Sequence, residues 1–404
     1  METVNRDSSA VAGAFGQLAV AWLTMFIVGS DLFVISPLLP LIAADYEVPP
    51  TAAGWSVTAF AITYMVSAPL LGHLADRVGR ARVLTCCLCA FGTANLFTAL
   101  AGNFAWLLVT RIAAGAAAAG VSPSVYALTG AGAPAEQRAS RLSIAVSGLL
   151  MSLCLGTPVG LLTAAWLCWP AVFFVLGVVS LPLAAANHRI WRHPPAPIGR
   201  AAAAERLTPP AVAARLAPTV LWSAALYSVY TYLGEGLSAS GYPAEQIAQV
   251  LLFYGSGAMA GTLLGGRFAD RLGAQPAISV SLLALCSSLL LLLIALKSEM
   301  FVSCAFGLVS LSAQLFFPAQ QLRLAHHFCN SRAAILAWNN SALFLGISLG
   351  SLIGGQAIGL AGYDSDLVIA AAIAAVAWIS THDGHRRSET GITLPHRRFG
   401  ARAG

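Results

Sequence analysis

The sequence predicts an all-α polytopic membrane protein of about twelve spans, arranged as two pseudo-symmetric six-helix bundles. Three observations predict it: composition, the count of apolar stretches, and an internal repeat. Of 404 residues, 58% are hydrophobic and only 9% are charged. A soluble domain carries about 25% charged residues. A bilayer removes that need, because lipid tails solvate apolar side chains while helices satisfy their own backbone.

A spanning helix needs about 20 mostly apolar residues. In the first half the stretches run Phe15–Ile42, Gly54–Leu74, Val83–Ala101, Phe104–Leu128, Leu142–Ala164 and Ala171–Ala186. In the second they run Thr219–Ser238, Ile247–Gly266, Ala277–Leu296, Phe301–Ala319, Ala333–Leu360 and Leu367–Ser380. The first is too long for a signal h-region of about 7–15 residues, so it reads as a retained span. The last is marginal: about 14 residues rise only ~21 Å.

The arginines orient the chain. Cytoplasmic loops collect Lys and Arg. With the N-terminus inside, the inner loops hold Arg77, Arg80, Arg82, Arg138, Arg141, Arg267, Arg271, Arg323 and Arg332, and the tail holds five more. The outer loops hold only Lys297. Both termini are therefore expected in the cytoplasm of an inner-membrane protein. The net charge of +6 reads as an orientation signal, not a nucleic-acid footprint. Expected units are a bundle over 1–186, a cytoplasmic linker over 187–218, a bundle over 219–380 and a cytoplasmic tail over 381–404.

The halves are related. Gly72-His-Leu-Ala-Asp76-Arg77-Val-Gly79 recurs as Gly266-Arg-Phe-Ala-Asp270-Arg271-Leu-Gly273, 194 residues later, with five of eight positions identical. The same offset relates Ser147 to Ser341, Gly156 to Gly350 and Gly160 to Gly354. Such repeats mark transporters, in which two similar bundles rock about a site between them.

At these residues the chain resembles the major facilitator superfamily, and within it the bacterial twelve-span drug:proton antiporters and arabinose-efflux-like exporters. The run Gly72 to Leu84 follows the family's G-x-L-a-D-r-x-G-r-k-x-x-l loop, with Ala81 at a usually basic position. The resemblance implies that Gly72, Asp76, Arg77, Gly79 and Arg80, with Asp270 and Arg271 of the repeat, form a conformational latch. Leu107-x-x-x-Arg111-x-x-Ala114-Gly115 resembles a fourth-span motif whose Arg is associated with proton coupling; Ala114 replaces the usual Gln. Gly148, Gly156, Pro158 and Gly160 resemble the fifth-span antiporter motif, interrupted by Thr157.

Asp31 is the one acid deep in the first six stretches. An intramembrane charge is a functional hypothesis by default. Asp31 and Arg111 fall at comparable depths and could face each other, as a proton or cation site or as a structural ion pair. Glu235 is expected in the outer half of the seventh span, either binding a cation or proton or lying at the surface. Tyr227 and Tyr230 share a helix face. With Trp22, Tyr254, Gln314, Asn339 and Asn340 they are candidates to line a small-molecule cavity.

The chain has no P-loop, zincin or nucleophile-elbow motif, so an enzyme is not expected. No cofactor or metal is expected either, at His326, His327 and Cys329 included. The expected function is proton-coupled export of a small organic molecule such as a drug, sugar or nucleoside, by alternating access. Uptake by symport and a non-transporting receptor are the alternatives. The expected partners are the solute, protons and the lipid bilayer, without nucleic acid. Oligomeric state is left open.

Overall fold

A long apolar segment in lipid closes its backbone hydrogen bonds within itself, so helices dominate. The computed structural model describes residues 2–134, 137–192, 209–328 and 331–389. Among the described residues there is no strand. The first half holds α1 (Glu2–Asp45), α2 (Pro50–Ala53), α3 (Trp55–Val78), α4 (Arg80–Ala99), α5 (Phe104–Ala131), α6 (Arg138–Met151), α7 (Thr157–Trp166) and α8 (Trp169–Ile190). The second holds α9 (Pro209–Thr231), α10 (Leu233–Ala239), α11 (Ala244–Leu272), α12 (Ala274–Ala295), α13 (Glu299–Gln314), α14 (Phe316–His327), α15 (Arg332–Ala361) and α16 (Tyr363–Glu389). Twelve segments among them are long and apolar enough to cross a membrane.

The repeat is structural. Gly79 and Gly273 have φ of 98° and 88°, and their N–H groups bond the carbonyls of Ala75 and Ala269 at 3.0 and 3.1 Å. Only glycine adopts that φ without strain. Each ends one long helix and starts the next, at equivalent places in the two halves.

Most spans extend past their expected limits by a few residues, and two of the differences bear on the site. The seventh runs Val212–Thr231, not Thr219–Ser238. Its true start includes Arg215, whose charge masked the apolar run. Its true end is a break at Tyr232, after which Leu233–Ala239 forms the separate α10. The last span runs Tyr363–Thr381, 19 residues, and is not short. Asp364 and Asp366 hid its first turn. The expected linker lies partly outside the described residues, over 193–208, as does the tail from 390 onward.

The fifth span is bent where its glycines and Pro158 predict a bend. Ser152–Gly156 forms a π-helical turn between α6 and α7. Such turns leave a local gap in the α ladder, which here suits the missing N–H of Pro158. Gly148, Gly156 and Gly160 lie against Trp22, Ser30 and Val34 of α1. Their counterparts Gly350 and Gly354 lie against Ala224 and Ser228 of α9.

The two ends of the bundle differ. One end carries the arginine-rich connections, including Gly79, Gly273 and Gly132 at the end of α5. The other carries α2, α10, Gly362 and, as its one basic connection residue, Lys297. At this arginine-poor end the halves are in contact. Tyr230 Oη donates to the Phe33 carbonyl at 3.0 Å. Ser351 Oγ donates to the Gly54 carbonyl at 3.1 Å. Gly234 lies on the backbone of Pro37, and Gly355 and Gly359 lie against Thr51.

Candidate functional site

Asp31 and Arg111 are brought together. Arg111 Nη1 and Nη2 donate to Asp31 Oδ1 and Oδ2 at 2.8 and 2.9 Å, and both side chains are fully buried. The fork-to-fork geometry gives the pair two parallel charge-assisted bonds. The guanidinium carbon also lies 4.8 Å from the Phe60 ring centroid and 5.4 Å from that of Phe173. The aromatic faces supply favourable quadrupoles and exclude water. Breaking such a pair strands a buried charge, a much larger penalty than the pair's net contribution. Arg111 is therefore fixed by α1, α3 and α8 at once.

Glu235 does not lie in the seventh span. It sits in the first turn of α10, half-buried, at the arginine-poor end. Partial burial raises its carboxyl above the ordinary carboxylate range. It does not approach Asp31 as an ion-pair or hydrogen-bond partner, and the two acids act on different elements.

The expected cavity residues divide. Tyr230 is buried and joins the halves through Phe33; its ring meets Phe33 at 6.1 Å, Tyr227 at 6.0 Å and Tyr254 at 5.0 Å. Trp22 donates to Ser147 Oγ at 3.2 Å and stacks on Phe26. Asn339 is buried inside the second half and accepts from Thr219 Oγ1 at 2.6 Å, which leaves its oxygen engaged there. Asn340, with Ser122, faces the Tyr64 hydroxyl. Gln314 ends α13 and is half-buried.

Sequence reasoning missed Tyr64 and Phe344. Their rings stack at 3.6 Å between centroids, across the seam between α3 and α15. A tyrosine hydroxyl within the second apolar stretch was the available signal. It also missed Asp366, which is fully buried on α16. That acid lies one residue before the expected last span, Leu367–Ser380.

The loop residues are exposed. Asp76 Oδ1 accepts from Arg80 Nη2 at 2.7 Å, one turn along the same half. Arg77, Asp270 and Arg271 are also exposed, and Gly72 has open space beside it. Among the described residues no group of three or more His, Cys, Asp or Glu is placed to hold a metal. Cys329 lies outside the described residues.

The Major Facilitator Superfamily profile matches residues 21–328. This chain belongs to the major facilitator superfamily. It is 30% identical over 338 residues to the MFS-type transporter YceJ of Bacillus subtilis (strain 168), covering 82% of this chain and 86% of that protein. It is 32% identical over 270 residues to a chloramphenicol resistance protein of Streptomyces lividans, covering 64% and 67% of the two chains. A solved bacterial homologue of the human lysosomal transporter Spinster, inward-facing and occupied, superposes with TM-score 0.75 at 16% identity, covering 94% of this chain and 98% of that one. The unoccupied inward-facing form gives 0.70 over 95% and 99%. The protein is a multi-pass membrane transporter of the major facilitator fold.

Proposed function

We propose that this major facilitator protein exports a small organic molecule in exchange for protons. The observation that carries the reading is the buried Asp31–Arg111 pair. A carboxylate locked by a guanidinium inside a bundle is a group whose proton binding and ion pairing compete. Protonation of Asp31 releases Arg111, and release lets α1 shift against α5. The bent fifth span packs its glycines along that same α1, so the shift is transmitted to the helix that meets α11 at Cys154 and Gly255.

The arginine-rich end is assigned to the cytoplasm by the positive-inside rule, which places both termini inside an inner (plasma) membrane. We read the contacts at the opposite end as closure of the outer side. With that side closed, Asp76 bonds its own neighbour Arg80. In the outward-open state the exposed Asp76, Arg77, Asp270 and Arg271 would latch the inner end across the halves. Export is favoured over uptake by the fifth-span motif and by the resistance protein among the relatives. The solute contacts fall to the aromatic and amide groups at the seam, Tyr64, Phe344 and Asn340.

The test is solute-induced proton movement in everted vesicles, with chloramphenicol, other drugs, sugars and nucleosides. Wild type should collapse an imposed pH gradient on adding at least one compound, and Asp31→Asn at equal expression should not. A responsive compound that moves protons equally with Asp31→Asn would make Asp31 structural. Solute accumulation in step with protons in intact cells would replace export with symport.

A further inference from the structure

Asp366 has no place in the reading above, yet it is the most unusual acid in the molecule. It is fully buried in the first turn of α16, within the last span. Neither carboxylate oxygen has a hydrogen bond of good geometry, the Ser228 hydroxyl being the donor beside it. Among the described residues no cation lies within ion-pair distance of it. The repeat places Val172 at the equivalent position, itself buried. An aliphatic residue therefore fills this niche in the other half, so packing alone does not call for a carboxylate.

Its surroundings can be enumerated. From α9, Ser228 lies beside it, with its hydroxyl turned to the Ala225 carbonyl at 3.1 Å. Tyr232, just beyond α9, and Tyr363, one turn earlier on α16, are the nearby ionisable groups. Their hydroxyls donate elsewhere, Tyr232 to the Ser351 carbonyl at 3.0 Å and Tyr363 to the Val229 carbonyl at 3.1 Å. Cys286 is the only ionisable group on α12, and α15 has none beyond Arg332 at the opposite end. Asp364 and Lys297 are exposed, and Glu235 is half-buried on α10. Among the described residues no cation faces Asp366, and the Ser228 hydroxyl is the neutral donor beside it.

The position is also mechanical. Tyr232 is wedged against Gly54 of the first half and Gly355 of α15, and the Ser351 that accepts from it donates to Gly54. Asp366 thus sits directly behind the side chain that seals the arginine-poor end. Burying an ionised carboxylate without a partner is far costlier than burying the neutral acid. The closed seal therefore favours the neutral acid.

We propose that Asp366 is a proton-binding site separate from Asp31, whose neutralisation lets the arginine-poor end close. The proposal rests on the proton-coupled reading and adds a second coupling group to it. When the halves part at Tyr232, water reaches the carboxylate and it ionises. A proton taken from that water, and leaving no other bond changed, restores the neutral acid and permits closure. With this end outside, external acid drives the return of the proton-loaded carrier.

The test is a distance measurement that needs no solute. Spin labels at the exposed Ala44 and Ala239, in α1 and α10, report the gap across this end in the full chain in nanodiscs, with native exposed cysteines replaced. For wild type the closed-to-open ratio should rise on acidification, at most about tenfold per pH unit for one proton. Asp366→Asn and Asp366→Val should be closed and flat with pH, and Asp366→Glu should keep the dependence. A flat wild type, or a dependence unchanged in Asp366→Asn and Asp366→Val, would overturn the proposal. So would a dependence abolished by Asp31→Asn with Asp366 intact. Failure of the antiport reading appears separately, as vesicles in which no solute moves protons while these distances still titrate.

Discussion

The two halves share a backbone and differ in their charges. The first half buries Asp31 and Arg111 together. The second half holds Ala225 and Ala305 at the equivalent positions, both buried. Its own buried acid, Asp366, stands where the first half has Val172, and among the described residues it has no ion-pair partner. The glycine turns and the glycine seams on α1 and α9 are repeated in both halves. What is repeated is therefore the packing needed for two bundles to rock, and what is unique to each half is the ionisable group. Duplication supplies the hinge geometry, and later substitutions place charge on one side of it.

The comparison predicts opposite signs for removing the two acids. Asp31→Asn strands Arg111 and should destabilise the protein by about 3–5 kcal/mol, read as a large fall in thermal midpoint in detergent. Asp366→Val restores the residue of the other half and should stabilise by about 1–3 kcal/mol. Equal losses from both changes would break the contrast between a paired and an unpaired acid.

Smaller effects sharpen it. Tyr230→Phe removes the hydrogen bond between halves to Phe33 and should shift the balance toward opening of the arginine-poor end by about 1 kcal/mol, visible in the same label distances. Glu235, raised by burial, contributes stability at low pH that is lost as pH climbs through its raised value. Glu235→Gln should flatten that decline, measured as the thermal midpoint across pH. Last, Asp76→Asn removes a solvent-exposed bridge to Arg80 and should change stability by at most about 1 kcal/mol. If Asp76 serves as a latch, transport falls far more than the thermal midpoint does, and matched losses would deny it that role.

Much of this was legible in the chain. The apolar stretches gave twelve spans because hydrophobic length is a one-dimensional property. The 194-residue offset exposed the repeat because Gly79 and Gly273 each need a positive φ that few residues tolerate. Asp31 and Arg111 were marked by rarity: an intramembrane charge needs a reason. Glu235 was misplaced because a helix break at Tyr232 leaves the hydropathy unchanged. Asp366 was overlooked for the converse reason, since an acid in the first turn of a span reads as an interfacial residue.

The sequence by itself determined the family, the helices and the asymmetry of basic residues, since each is written in local composition or in a motif. Only the tertiary structure decided which groups meet. It closed Asp31 onto Arg111 across 80 residues, turned Asn339 inward to Thr219, and set Asp366 near Tyr232 without a cation. Pairing and burial depend on how helices rotate against one another. Rotation is fixed by packing summed over the whole bundle, which no single stretch of sequence carries.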